Sequence, residues 1–332
     1  MDSPAPTDRP LTIRAITRHE RGAVLNLLGE WISAEFFGRY FDHDPAFRDE
    51  LCFVALDGER LVSTLQVFAK DVRVGGATLR VAGVGNVFTT DAYRERGTAS
   101  QVLTHAIAAM DAYGFDLSLL FAVRLAFYGR HGWSSHPRRF VFIEPGDAAT
   151  SGRYAIDPFV PARDLDSVMQ VYDAYSGALP GTTVRDYPYW LGQLRYAGNL
   201  EEDFLVAHAG SEVIAYARAT TLYGYYLIME HGYLPGHEDA LADLTCRLHT
   251  VEGRTLPGTL AQLAHEPRVQ ASLQTRGLTL RAVDDVFWMW RVISPERLAA
   301  KLGVTVAEVE REDFFPNLFP PERSVFWLSD RF

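Results

Sequence analysis

The stretch Val87-Phe88-Thr89-Thr90-Asp91-Ala92-Tyr93-Arg94-Glu95-Arg96-Gly97-Thr98-Ala99 passes from an apolar strand through a polar loop into a helix. That order of elements suits the binding of a diphosphate. Backbone N–H groups at a helix start are unpaired, and the helix dipole favours an anion beside them. Gly97 permits a tight turn and close approach of a phosphate, and Ala99 keeps the first helical turn uncrowded. Arg94 and Arg96 supply charge that can pair with phosphate oxygens. Other phosphate loops are excluded on specifics. No Gly, four residues, Gly-Lys-Ser/Thr run occurs, and in the dinucleotide-like pattern opened by Gly83 and Gly85 the third glycine position holds Phe88. That glycine pair lies inside a strand and marks a bulge.

The elements that hold this loop follow from hydrophobic period and turn residues. A strand over Leu11–Thr17 is followed by one or two helices from Glu20 to about Gly38, with Val24, Leu27, Leu28 and Trp31 at helical spacing. Strands Leu51–Leu56 and Leu61–Phe68 flank the turn Asp57-Gly58, and Gly75-Gly76 forms another before the apolar run Arg80–Thr89. Leu103, Ala106, Ile107 and Met110 line one face of a helix over Thr98–Tyr113 that stops at Gly114. A buried strand Phe115–Ala122, a short helix to Arg130 and a strand Arg139–Ile143 complete the unit. Pro145-Gly146-Asp147 reads as a linker, after which the order of elements repeats, ending in a single strand Ala282–Val292. The reading is an α/β chain with mixed sheets flanked by helices. Its parts are a disordered arm over 1–10, a first domain over 11–146, a second over 147–293, and a helix with an aromatic-rich tail over 294–332.

Composition narrows the function classes. Hydrophobic residues at 48% and charged residues at 22% describe an ordinary globular protein. The net charge of -10 argues against a nucleic-acid partner and suits a cationic substrate. No basic leader precedes an apolar core and no run is long enough to span a membrane, so a cytoplasmic protein with no membrane partner is expected. Cys52 and Cys246 have no ligand spacing and read as buried small hydrophobes. His231 and His237 flank a turn without cysteine or a helical repeat, so no metal is expected. The tail carries Phe314, Phe315, Phe319, Phe326, Trp327 and Phe332, whose apolar area must dock on the body of the protein. A homo-oligomer is left open.

With Arg94, Gly97 and Ala99 at the places of an Arg/Gln-x-x-Gly-x-Gly/Ala signature, the loop resembles that of the GNAT superfamily of N-acetyltransferases. Phe127-Tyr128-Gly129-Arg130-His131-Gly132-Trp133 resembles the closing segment of that family. The resemblance implies acetyl-CoA as co-substrate, held through Val87, Phe88, Thr89, Arg94, Glu95, Arg96, Gly97, Thr98 and Ala99 between two splayed parallel strands. It implies Tyr128 as the acid that protonates the departing thiolate; a reference phenol near 10 and a thiol near 8.5 make that transfer feasible. The tandem order resembles the Eis-like branch, a pair of GNAT folds whose second has lost the loop, and the turn His231–His237 indeed lacks the signature. That branch uses a terminal carboxylate as base, which implies Phe332 here. Glu30, Trp31, Glu35 and Phe36 lie where the family places the helical wall of the acceptor site, where charge and aromatic faces suit a cation. The departures are Asp91, where the family often has proline, Arg124, where this branch tends to have an acid, and a short C-terminus. The expected activity is acetylation of a primary amine on a cationic small molecule or lysine. The alternatives are a non-catalytic acyl-CoA-binding module and a related aminoacyl or acyl transferase.

Overall fold

The structure, a computed structural model, describes residues 10–196, 202–222, 224–250 and 258–331. The arm expected over 1–10, apart from Pro10, and the terminal Phe332 lie outside the described residues. In chain order, β1 (Thr12–Ala15) leads to α1 (Arg21–Gly29) and α2 (Ala34–His43), the latter capped by Ser33 Oγ, which accepts from Phe36 N–H at 3.0 Å. The meander β2 (Cys52–Asp57), β3 (Arg60–Val74) and β4 (Ala77–Thr89) follows, and the β3–β4 turn has φ 51° and 89° at Gly75 and Gly76, which only glycine adopts without strain. Then come α3 (Thr98–Ala112), β5 (Leu117–Phe121), α4 (Leu125–Gly129), β6 (Ser134–Ser135) and β7 (Arg138–Ile143).

The second half repeats the plan with β8 (Ala155–Pro158), α5 (Pro161–Ser176), α6 (Tyr187–Tyr196), β9 (Asp203–Ala209), β10 (Glu212–Leu222) and β11 (Tyr225–Tyr233). It continues with α7 (Glu238–His249), β12 (Thr259–Ala261), α8 (Pro267–Thr275), β13 (Leu280–Asp285) and β14 (Trp288–Val292). Three short helices close the chain: α9 (Pro295–Leu302), α10 (Val306–Val309) and α11 (Phe314–Leu318).

These strands form two seven-stranded mixed sheets, ordered β1-β2-β3-β4-β5-β14-β6 and β8-β9-β10-β11-β12-β7-β13. The two orders correspond place by place, with one exchange. The sixth place of each sheet is taken by a strand from the other half of the chain, β14 antiparallel to β5 and β7 antiparallel to β12. Two sequence expectations differ from this. The strand ending at Ile143, expected to complete the first unit, pairs into the second sheet, and the single strand expected over Ala282–Val292 is two strands in different sheets. The break falls at Val286 and Phe287, both exposed. Arg138, at the start of β7 and buried, holds this crossing: its guanidinium pairs with Asp285, lies 4.1 Å over the Trp288 ring, and donates to the Phe326 carbonyl at 3.2 Å.

The helix α3 covers one face of the first sheet through Val102, Leu103, Ala106 and Met110, while α1 and α2 cover part of the other. Next to them on that second face the aromatic tail docks, as its composition required: Phe315, Phe319 and Phe326 pack on Val81, Leu117, Leu119 and Trp288. Val325 and Trp327 reach across to the cluster of α5 and α6, so the tail spans both sheets. A buried ionic network fastens it. Arg185 makes two 2.8 Å bonds to Glu230 and one to Asp330, Tyr189 Oη donates to Asp330 at 2.9 Å, and Lys70 Nζ donates to Tyr189 Oη at 2.8 Å. Burial alone would neutralise these groups, but each carboxylate faces a guanidinium. Arg185 and Arg218 hold the Glu230 carboxyl well below its usual range.

Candidate functional site

The site begins where two strands part. β4 runs parallel to β5 only from Val81–Val84 against Leu117–Leu120, and beyond Val84 its edge has no strand partner among the described residues. A bulge turns it away. Asn86 has φ 52°, the register against β3 shifts between Thr64 and Gln66, and buried Asn86 Nδ2 donates to Gln66 Oε1 at 2.8 Å. A non-glycine residue at positive φ needs such a lock, and asparagine tolerates it best. The sequence placed the bulge at Gly83 and Gly85, one residue short of its centre. On the far side Ser63 Oγ donates to the Phe88 carbonyl at 2.9 Å and bonds Thr89 Oγ1 at 2.7 Å, so Val87, Phe88 and Thr89 stand half-buried along the opening.

The loop after β4 turns at Asp91–Tyr93, with buried Tyr93 Oη donating to Asp57 at 2.6 Å. Arg94 folds back on the loop: it pairs with Asp91 at 2.6 Å, donates to the Thr89 carbonyl at 3.0 Å and covers the Phe88 ring at 5.7 Å. It staples the loop, and Arg96 is the exposed cation with no ion pair among the described residues. Glu95 (φ 60°) and Gly97 (φ 79°, ψ 3°) are both left-handed, and a Cβ added to Gly97 would meet nothing within 4 Å. The first amide of α3 bonded to the Gly97 carbonyl is that of Gln101, at 3.0 Å. The N–H groups of Thr98, Ala99 and Ser100 therefore open onto the same space as exposed Glu95, Arg96 and Gly97, with the Thr98 side chain buried beneath. These residues fit a diphosphate.

Tyr128, the fourth residue of α4, is half-buried, edge-on to Phe127 at 4.9 Å and to Trp133 at 6.3 Å. Its hydroxyl bonds no protein group among the described residues. Burial pushes the phenol up to about 12, with Arg124, one helical turn before it, pulling the other way. The phenol is therefore protonated throughout the neutral range.

On the α1–α2 side, Trp31 is 55% exposed with its ring 5.6 Å from Phe37, and half-buried Phe36 stands edge-on to Phe37 at 5.1 Å. Glu30 is exposed and without an ion pair among the described residues, whereas Glu35 pairs with Arg39 at 3.4 Å. Phe88, packed against this pair of helices, joins the aromatic wall to the loop. Sequence reasoning missed Gln66, Asn86 and Ser63. The signal for the first two was present, a lone amide in each of two apolar runs on neighbouring strands.

The second sheet repeats the parting and fills it. β11 is parallel to β12 only over Tyr226–Ile228 against Thr259–Ala261. Past that point His231 and His265 stack at 5.9 Å, and the Tyr175 hydroxyl from α5 reaches both, at 3.1 Å and 2.8 Å, while donating to Glu266 at 2.6 Å. Trp327 closes over Tyr175 and His231. Helix α7 then starts with Glu238 and Asp239, and Glu238 is held below its usual range by a backbone N–H and by Arg268. Carboxylates stand where a phosphate would. Among the described residues no group of three or more His, Cys, Asp or Glu could hold a metal, and no helix is long and apolar enough to cross a membrane.

The family described as acetyltransferase (GNAT) domain matches residues 12–135. An N-acetyltransferase of Streptomyces avermitilis, described as uncharacterized, is 29% identical over 145 residues, which are 40% of this chain and 34% of that protein. The match thus spans about a third of the relative's own length. Among solved structures, a conserved protein of Enterococcus faecalis described as a probable N-acyltransferase superposes with TM-score 0.67 at 16% identity, over 88% of this chain and 75% of that one. Eis1 from Mycobacterium abscessus gives 0.57 at 15% identity, over 88% and 76%. At these identities the two structures share the architecture with this chain.

Proposed function

Because residues 12–135 are a GNAT acetyltransferase domain, we propose that this chain transfers an acetyl group from acetyl-CoA to a primary amine by direct attack in a ternary complex. What supports the reading is that, among the described residues, the edge Val87–Thr89 beyond the parting of β4 and β5 has no strand partner and the first amides of α3 lie just after it, with the Tyr128 hydroxyl bonded to no protein group. Bound acetyl-CoA would supply the activated thioester. The amides of Thr98, Ala99 and Ser100, with Arg96, hold the diphosphate, and the edge of β4 steadies the oxygen on which charge develops. Tyr128 gives its proton to the leaving sulfur. Its value near 12 does not oppose this, because the apolar cleft that raises the phenol raises the thiol as well. The buried Cys52 thiol is moved in the same direction, pushed up to about 12 by burial.

The acceptor on this reading is a cationic small molecule or a lysine side chain. Exposed Trp31 offers a ring face and Glu30, without an ion pair among the described residues, a charge, which together suit a cation, and the chain is acidic overall. Incubation with acetyl-CoA and a panel of polyamines, aminoglycosides and lysine peptides, read as free thiol released, tests the reading. Amine-dependent release supports it. Tight CoA binding with no release above hydrolysis across the panel leaves a binding module instead.

A further inference from the structure

One side chain joins the Tyr128 segment to the phosphate loop and has no part in the chemistry above. His131, three residues past Tyr128, points at the first turn of α3, where its Nε2 lies 3.1 Å from Ser100 Oγ. Its frame is firmly held. The His131 N–H donates to the Tyr128 carbonyl at 2.9 Å, its carbonyl accepts from the Arg291 guanidinium of β14, and its ring packs 5.4 Å from Phe127. Ser100 is the third residue of α3, so its own amide belongs to the free set at the helix start. An imidazole bonded to that hydroxyl stands at the rim of the anion cradle.

The charged groups that face this ring are both cations, Arg130 from its own segment and Arg291 from β14. No carboxylate pairs with it among the described residues. Burial first, and then these two arginines, hold its pKa below the ordinary value, so the ring is neutral around pH 7 in the free protein. An arriving diphosphate reverses that balance, since its negative charges favour the imidazolium.

Resting on the reading of the loop as a diphosphate cradle, we propose that His131 takes up a proton when CoA binds and, through Ser100, forms a hydrogen-bond chain to the diphosphate. The proton comes from solvent to the ring nitrogen. The protonated Nε2–H donates to Ser100 Oγ, and the Ser100 O–H is freed to donate to a phosphate oxygen. His131 is thus a positioning residue that makes cofactor affinity depend on pH and ties the segment bearing Tyr128 to the occupied loop.

Calorimetric titration of the full chain in two buffers of different ionisation enthalpy counts the protons taken up. Dephospho-CoA is the main probe, because its diphosphate does not titrate in this range, and pantetheine is the phosphate-free control. Near neutral pH the wild type takes up protons with dephospho-CoA and none with pantetheine, and affinity rises about tenfold from about pH 8 to about pH 5.5. His131→Phe and Ser100→Ala abolish the uptake and flatten the pH dependence, with the melting temperature of each unliganded variant confirming that it is folded. Uptake that persists in His131→Phe, or that pantetheine also elicits, overturns the proposal. Failure of the wild type to bind CoA or dephospho-CoA at any pH overturns the cradle reading itself, and so tells the two failures apart.

Discussion

Tyr128→Phe removes one oxygen and leaves the ring in place. The hydroxyl has no protein partner among the described residues, so its loss strands no donor or acceptor, and the ring keeps its contacts with Phe127 and Trp133. Stability should change by less than about 1 kcal/mol. The rise of the phenol from 10 to about 12 measures about 3 kcal/mol of penalty on its anion, which keeps it protonated well past pH 10. A positioned acid contributes roughly 100-fold or more to turnover, so kcat should fall by at least that factor while the Kd for CoA stays within about twofold. The wild-type rate should also hold its alkaline plateau to about pH 10 and beyond, where a phenol of ordinary pKa would already be half ionised. The assay is thiol release across pH with CoA binding measured in parallel. Unchanged kcat removes Tyr128 from the acid role, and a fall in kcat matched by an equal loss of CoA affinity makes it a binding residue.

The remaining predictions concern the loop, the core and acid stability. Gly97→Ala adds a Cβ at φ 79° in open space, so the cost is backbone strain of about 1–2 kcal/mol and a methyl in the path of the phosphate. CoA affinity should fall about tenfold or more, and an unchanged Kd would refute the cradle. Glu230→Gln discharges the fully buried partner of Arg185 and Arg218, which should cost about 3–5 kcal/mol, read as a melting temperature lower by roughly 10 °C. A loss under about 1 kcal/mol would show that the network does not hold the tail. Burial holds His265 at about 4 against an unfolded value near 6.5, so its contribution is whole above pH 6.5 and is lost as pH falls toward 4. His231, also lowered, acts in the same direction, while Glu266, raised by burial, opposes them. Stability should drop by about 3 kcal/mol across that window for His265 alone, and His265→Gln should flatten the drop. A melting curve independent of pH between 4 and 6.5 would contradict this.

The parts legible in the sequence are those whose physics is local. The left-handed Gly97 beside the start of α3, and the tyrosine followed at fixed spacing by Gly132 and Trp133, are each written within a few residues of sequence. The exchange of β7 and β14 is not local. Arg-Arg-Phe-Val-Phe-Ile and Trp-Met-Trp-Arg-Val are both short apolar strands, and either pattern can occupy the sixth place of either sheet. The choice is made by the pairing of Arg138 with Asp285, 147 residues on, and by the stacking of Arg138 over Trp288. Neither partner is visible from the strand it directs.

The second opening makes the same point about function. Absence of the Arg, Gly and Ala signature between His231 and His237 suggests only that a phosphate is not gripped there. The structure adds that the space is filled, because a tyrosine from α5, a histidine from β11, another from the segment after β12 and a tryptophan from the tail meet where the first sheet stays open. Reopening it takes more than restoring a loop. Four aromatic or imidazole rings would have to leave, and Glu266 would lose the hydrogen bond it accepts from Tyr175. The tail residue Trp327 that seals this second opening lies three residues before Asp330, which fastens the tail to Arg185. Filling the second opening and fastening residues 327–330 to Arg185 and Glu230 are therefore the work of one segment, and the Glu230→Gln variant should loosen both together.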